Sequence, residues 1–144
     1  MKSRDTLIRL KRFQVDEKRR RVAQIEMMIA EFDRMALELN REIAGEEQKA
    51  GISDPAHFAY PTYAKAAMQR RDNLKRSADE LKGQLADAKD ALAAAFEDMK
   101  KVELLEAEVD DLTRAVHTLQ DENAFLQRLL EEAPRPPLPP PPRP

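Results

Sequence analysis

GISDPAHFAYPT, residues 51–62, is where this chain can no longer continue as one helix. One Gly, two Pro and several cap-forming residues fall within it, while residues 1–50 and 63–132 hold no Pro at all. Asp54 before Pro55 reads as an N-cap with Pro at the first helical position, opening one short turn. Thr62 after Pro61 reads as the cap of a second long helix. Phe58, Tyr60 and Tyr63 are expected to pack over the end of whatever this elbow closes.

Upstream, nothing interrupts a helix from about Lys2 to Glu47; downstream, the second helix is expected from Thr62 to about Glu132, leaving residues 48–62 as the turn. Slots spaced alternately by three and four in the first segment hold Ile8, Lys11, Val15, Lys18, Val22, Ile25, Ile29, Phe32, Ala36, Leu39, Ile43 and Glu46. Nine of these twelve are apolar, which is a narrow coiled-coil seam rather than the wider face of a globular helix. The second segment repeats the pattern through Leu74, Ala78, Leu81, Leu85, Ala88, Leu92, Ala95, Met99 and Val102. Two seams joined by a short turn predict an antiparallel hairpin.

Charge tests that pairing independently. Net charge is +6 over residues 1–24, −5 over 25–47, +3 over 63–85 and −4 over 86–109. Folding back near Pro55 sets −5 beside +3 and +6 beside −4, whereas a parallel pairing would oppose like charges. One such register sets Phe32 against Ala78, Ala36 against Leu74 and Val22 against Ala88; a slip of one heptad keeps the seam too. At 1.5 Å per residue the helices would span roughly 70 Å and roughly 105 Å, so the second has a surplus.

That surplus has its own register. Met99, Val102 and Leu105 make two steps of three in succession, a stammer that rotates the seam. Beyond it run Leu105, Val109, Leu112, Val116, Leu119, Asn123, Leu126 and Leu130. Leu fills the d slots, Val fills two a slots and Asn fills a third, the pattern of a two-stranded parallel zipper. The bland alternative puts Asn123 in water on a frayed end. Seven apolar slots would then be exposed in a monomer, so a parallel homodimer through residues 105–130 is the expectation. The tail APRPPLPPPPRP cannot be helical; it reads as a disordered, extended polyproline segment or as a ligand for aromatic-lined grooves. The fold class is therefore all-α: an antiparallel two-helix coiled-coil hairpin over 1–105, a leucine-zipper-like helical extension over 106–132, and a Pro-rich tail over 133–144.

Composition bounds the function. Charged residues make up 36% of 144, aromatics 5%, with three Gly and no Trp, the usage of long helices with little to fill a compact core. Net charge is −2, giving no whole-chain bias toward nucleic acid or anionic membranes. There is no Cys, which removes disulfides and thiolate metal sites and suits a reducing compartment. No apolar run approaches a membrane span, and MKSRDTLIRLKRFQ lacks a signal peptide's apolar centre. A cytoplasmic protein without direct membrane insertion is expected.

Chemistry-bearing constellations are few. His57 lies in the turn and His117 beside the zipper seam, neither with a second imidazole at ligand spacing. No glycine-rich phosphate loop or nucleophile elbow is present, and paired carboxylates on solvated helix faces are solubilising charge. No enzymatic activity, cofactor or metal is expected. Lys18-Arg19-Arg20-Arg21 lies about 85 residues from Leu105, whereas a DNA-reading basic region adjoins its zipper. It reads as a cationic face answered by the partner helix, with no nucleic acid as ligand. Leu7, Leu10, Phe13, Met27, Met28 and Met35 fall outside the seam, either as a broadened stripe or as a docking face for another protein.

Three stretches carry a resemblance: MKSRDTLIRLKRFQVDEKRRRVAQIE, the elbow GISDPAHFAYPTYAKAA, and RRDNLKRSADELKGQL. Over about residues 1–105 the chain resembles the alphaproteobacterial branch of the FliJ family of the flagellar type III export apparatus, with the elbow its most specific part. The resemblance stops after VELLEAE. It implies an antiparallel two-helix coiled coil, similar to the central stalk of rotary ATPases. It further implies a non-enzymatic role in flagellum biogenesis and motility, at the cytoplasmic side of the inner-membrane flagellar base. The implied partners are the flagellar export ATPase ring and the export gate protein. On that reading Leu7, Leu10, Arg20 and Arg21 are the expected partner-binding residues. The competing reading is a homodimeric cytoplasmic coiled-coil scaffold or adaptor.

Overall fold

A computed structural model describes residues 3–144. It contains two helices, α1 (Ser3–Ala50) and α2 (Thr62–Glu132). The expected helix start at Lys2 lies outside the described residues. The chain divides into two compact units, Met1–Val102 and Glu103–Pro144, and the division falls inside the Met99–Val102–Leu105 step.

The first unit is the expected hairpin. Every buried residue of α1 occupies a predicted seam slot: Ile8, Val15, Val22, Ile25, Ala36, Leu39 and Ile43. On α2, Ala78, Leu81 and Met99 are buried, and Leu74, Leu85, Ala88, Leu92, Ala95 and Val102 are half-buried. The line extends further toward the elbow than the sequence reading carried it, through half-buried Arg71 to buried Ala67 and Ala64. Small Ala residues there let α2 lie close to α1, so that Leu39 and Ile43 cluster with Tyr60, Ala64 and Ala67. The charged slots behave differently from the apolar ones. Lys11 and Glu46 are half-buried and Lys18 is exposed, as expected of long side chains that cover apolar surface with their stems.

Three side-chain hydrogen bonds across the hairpin define its sense. Tyr60 OH donates to Glu47 Oε1 at 3.1 Å, Tyr63 OH to Glu42 Oε2 at 2.8 Å, and Arg71 Nη1 to Asn40 Oδ1 at 3.0 Å. Positions after the elbow rise as their partners on α1 fall, so the strands of the hairpin run antiparallel. Asn40 lies one turn from Ala36, and Arg71 one turn from Leu74.

α1 runs three residues beyond its expected end at Glu47, because its terminator is Gly51. Gly51 adopts φ 70°, where a side chain would be strained. Its N–H reaches Gln48 O at 3.3 Å and Glu47 O at 2.9 Å, and Ile52 N–H reaches Glu47 O at 3.2 Å. This is a Schellman cap, and Ile52 completes it by packing on the Leu39–Ile43–Tyr60 cluster. At Asp54 the expected short turn is present: Ala56 N–H donates to Asp54 Oδ1 at 2.9 Å and His57 N–H to Asp54 O at 3.0 Å. Thr62 is not the cap of α2. Lys65 N–H donates to Pro61 O at 3.2 Å, so Pro61 supplies the first helical carbonyl and Thr62 is the first helical residue.

In the second unit the helical residues run to Glu132, where Ala133 N–H closes the last turn on Leu129 O at 3.0 Å. None of its residues from Glu103 onward is buried. Residues 134–144 carry no helix or strand. Among the described residues no helix is long and apolar enough to cross a membrane.

Two contrasts follow. Nothing lies within 4 Å of a Cβ added at Gly51 or Gly83, so backbone alone decides each substitution. Gly51→Ala should lower the unfolding free energy by about 1 kcal/mol, and Gly83→Ala, in a helix interior, should raise it by about 0.5–1 kcal/mol. Ile25 is 1% exposed and Met27 71%. Ile25→Ala should cost about 2–3 kcal/mol in urea denaturation, the lower part of the usual range because a two-helix seam lies close to solvent on both sides. Met27→Ala should change stability by less than about 0.5 kcal/mol.

Candidate interaction surfaces

Three surfaces stand out once the seam is accounted for: the elbow, the exposed side chains on the first half of α1, and the apolar row of the second unit.

At the elbow the aromatic residues separate. Tyr60 is only 5% exposed, and its ring belongs to the core while its hydroxyl lies on Glu47 and 3.6 Å from Met68 Sδ. Phe58, expected to pack over the hairpin end, is instead 96% exposed and stacks on His57 with ring centroids 4.7 Å apart. The turn itself produces this. Tyr60 N–H returns to His57 O at 3.1 Å and Ala59 N–H donates to His57 Nδ1 at 3.0 Å, which aims Tyr60 inward and leaves Phe58 at the tip. Tyr63, also expected to cover the end, stays half in solvent and is held by Glu42.

Both phenols are displaced in pKa in the same direction. Desolvation, and then the hydrogen bond and negative charge of Glu47, raise Tyr60 above the usual phenol range. The hydrogen bond to Glu42 and its charge, with a smaller desolvation effect, raise Tyr63. Nearby, Arg34 clamps Glu31 through Nη2 at 2.5 Å and Nε at 3.1 Å, and reaches Glu38 through Nη1 at 2.6 Å. Its hydrogen bond is the main reason the Glu31 carboxyl lies below the usual range. Arg34, Met35, Glu38, Leu39 and Glu42 line an open groove with Tyr63, Arg70 and Leu74 of α2.

On the first half of α1, Leu7, Leu10, Arg20 and Arg21 are all exposed. Phe13 and Arg20 are seven residues apart, as are Gln14 and Arg21, and a seven-residue step turns a helix by only about −20° from full register. Leu7 and Arg21, two such steps apart, share one flank of the seam, Phe13 and Arg20 lie on the face opposite it, and Leu10 falls between. Arg21 borders the seam. With Lys18 and Ile25 it lines a groove shared with Gln84, Asp87, Ala88 and Ala91 of α2, where its charge faces the acidic half of the second helix. Met27 and Met28 are exposed, whereas Met35 is half-buried and belongs to the Arg34 groove.

In the second unit, Leu105, Val109, Leu112, Val116, Leu119, Asn123, Leu126 and Leu130 are all exposed. The polar residues between them are bonded locally: Thr113 Oγ1 donates to Val109 O at 2.8 Å, Thr118 Oγ1 to Arg114 O at 3.0 Å, and Arg114 pairs with Asp111 at 2.6 Å. The apolar row has no such satisfaction. His117 lines a shallow groove with Val109, Leu112 and Val116. Among the described residues no group of three or more His, Cys, Asp and Glu is placed to hold a metal ion. No protein-family model, curated protein or solved structure matches this chain.

One structural contributor escaped the sequence reading: Arg71 occupies a seam position yet joins Asn40 to Asp72. An Arg four residues after Ala67 and three before Leu74 is the signal for its seam position.

The chain has two Tyr and no Trp, so tyrosinate absorbance reads these phenols directly. A phenol with a raised folded pKa favours the folded state below the unfolded value near 10, and loses that advantage as pH rises through the folded value. The titration midpoint should lie above that of the same chain in urea. Stability should fall on the alkaline side, and the Tyr60→Phe/Tyr63→Phe variant should lose less stability there than the parent.

Proposed function

We propose that this chain is a non-enzymatic, cytoplasmic component of the flagellar type III export apparatus, a coiled-coil rod that contacts the export ATPase ring and the export gate at the inner-membrane flagellar base. The observation that carries the proposal is the antiparallel hairpin built on a single three–four seam. Its elbow is the segment in which the resemblance to the FliJ family is most specific.

The mechanism is mechanical and electrostatic. A helix pair with one continuous buried seam resists bending more than either helix alone, so force applied at one end is delivered along the rod. α1 by itself is about 72 Å long at 1.5 Å per residue. The seam uses up only one line of each helix, and the rest of the α1 surface stays available. Leu7 and Leu10, at 43% and 49% exposure, offer apolar anchors. Arg20 on the outward face, and Arg21 on the same flank of the seam as Leu7, add cations that favour an acidic rim on a ring-shaped partner. Charge at the rim speeds the encounter and fixes the register of insertion, while buried Leu anchors slow release.

Replacing Leu7, Leu10, Arg20 and Arg21 together by Ala should weaken binding to a purified flagellar export ATPase at least tenfold. Helix content should be unchanged, because all four are exposed and Ala favours helix. Binding at parental affinity in a pull-down or titration would remove the assignment.

A further inference from the structure

From residue 104 to residue 130 ten large apolar side chains are 41–77% exposed. A soluble monomer rarely leaves so long an apolar face in water, and the order of these residues says what covers it. We infer that residues 105–130 form a parallel, in-register zipper with a second copy of this chain, with Asn123 setting its direction.

Branching comes first. Val109 and Val116 at a, with Leu105, Leu112, Leu119 and Leu126 at d, match the side-chain geometry of two parallel strands; larger assemblies favour other choices at a and d. Direction is decided by one amide. An antiparallel pair of these helices also closes the seam, matching Leu105 with Leu130, Val109 with Leu126 and Val116 with Leu119. That arrangement sets each Asn123 against a Leu112, burying two amides with no hydrogen-bonding partner. A parallel pair shifted by one heptad sets Asn123 against Val116 or Leu130, at the same cost. Only the parallel in-register pair brings the two Asn123 amides together, where each can donate to the other.

The flanking positions permit this arrangement. Across a parallel pair, Glu108 meets Thr113, Ala115 meets Gln120 and Glu122 meets Gln127, so no like charges face each other. These positions carry no repulsion in the antiparallel pair either, which leaves the direction to Asn123. The outer face holds Asp110, Arg114, Asp121 and Arg128, all exposed and suited to solvent.

The inference goes beyond the export role, and its test needs only the purified chain, so it can fail while ATPase binding stands. Sedimentation of the full chain at tens of micromolar should give one species at twice the 16.5 kDa chain mass. Leu112→Glu/Leu119→Glu should sediment as a single chain. For direction, the chain has no Cys, so Arg128→Cys carries one spin label per copy. In the parallel pair both labels lie at the same height. The antiparallel pair offsets them by 21 residues, roughly 30 Å along the axis. A monomeric parent, a dimeric Leu112→Glu/Leu119→Glu variant, or the offset distance would each overturn the proposal.

Discussion

Tyr60 ties the end of one helix to the start of the next. Its ring fills the space between Leu39, Ile43, Ala64 and Ala67, while its hydroxyl reaches back to Glu47, in the last turn of α1. A hairpin with so thin a core has few ways to choose a register. Once Tyr60 and Ile52 are seated, the next contacts follow at helical spacing: Tyr63 on Glu42, then Arg71 on Asn40. Seam residues farther from the elbow inherit that register. A shift by one heptad would keep the apolar line, but it would withdraw the ring from its cluster and the phenol from Glu47.

Charge acts on the same choice at longer range. Arg21 and Lys18 share a groove with Asp87, as the block charges require. Arg19–Asp16, Arg34–Glu31, Arg34–Glu38 and Lys82–Asp79 each lie within one helix, at spacings of three or four. Such exposed pairs contribute little individually. The opposed blocks instead disfavour the parallel alternative over many residues, a bias that weakens with salt. Packing near the elbow sets the register; the short connection between α1 and α2 already imposes the antiparallel sense, which the charge blocks reinforce.

Burial differs between the two units. In the first, large apolar residues are mostly seated in the seam, and most of those left outside, Leu7, Leu10, Phe13, Met27, Met28 and Leu37, lie on α1, with Phe58 at the elbow and Tyr63 and Phe96 on α2. In the second, the apolar residues have the seam's spacing without a second helix from the same unit to cover them. The same three–four periodicity thus serves an intramolecular pairing in one unit and leaves an unfilled face in the other. Asn123 marks the difference: no amide occupies a predicted seam slot of the hairpin.

Periodicity and punctuation made most of the fold legible from the amino acids alone. All seven buried positions of α1 are in the apolar slots, because a helix has only one line to hide and the spacing names it. The elbow is equally legible, since Pro and Gly constrain the backbone whatever surrounds them. The proposed interaction surface is legible only by subtraction, as the apolar and cationic residues the seam leaves over. What tertiary structure alone decided is which residues near the turn face inward. Tyr60 and Phe58 are equivalent by composition, yet hydrogen bonds to His57 bury one and expose the other. Arg71 enters the seam because Asn40 stands opposite to receive it, a pairing between residues far apart in the chain that no local pattern encodes.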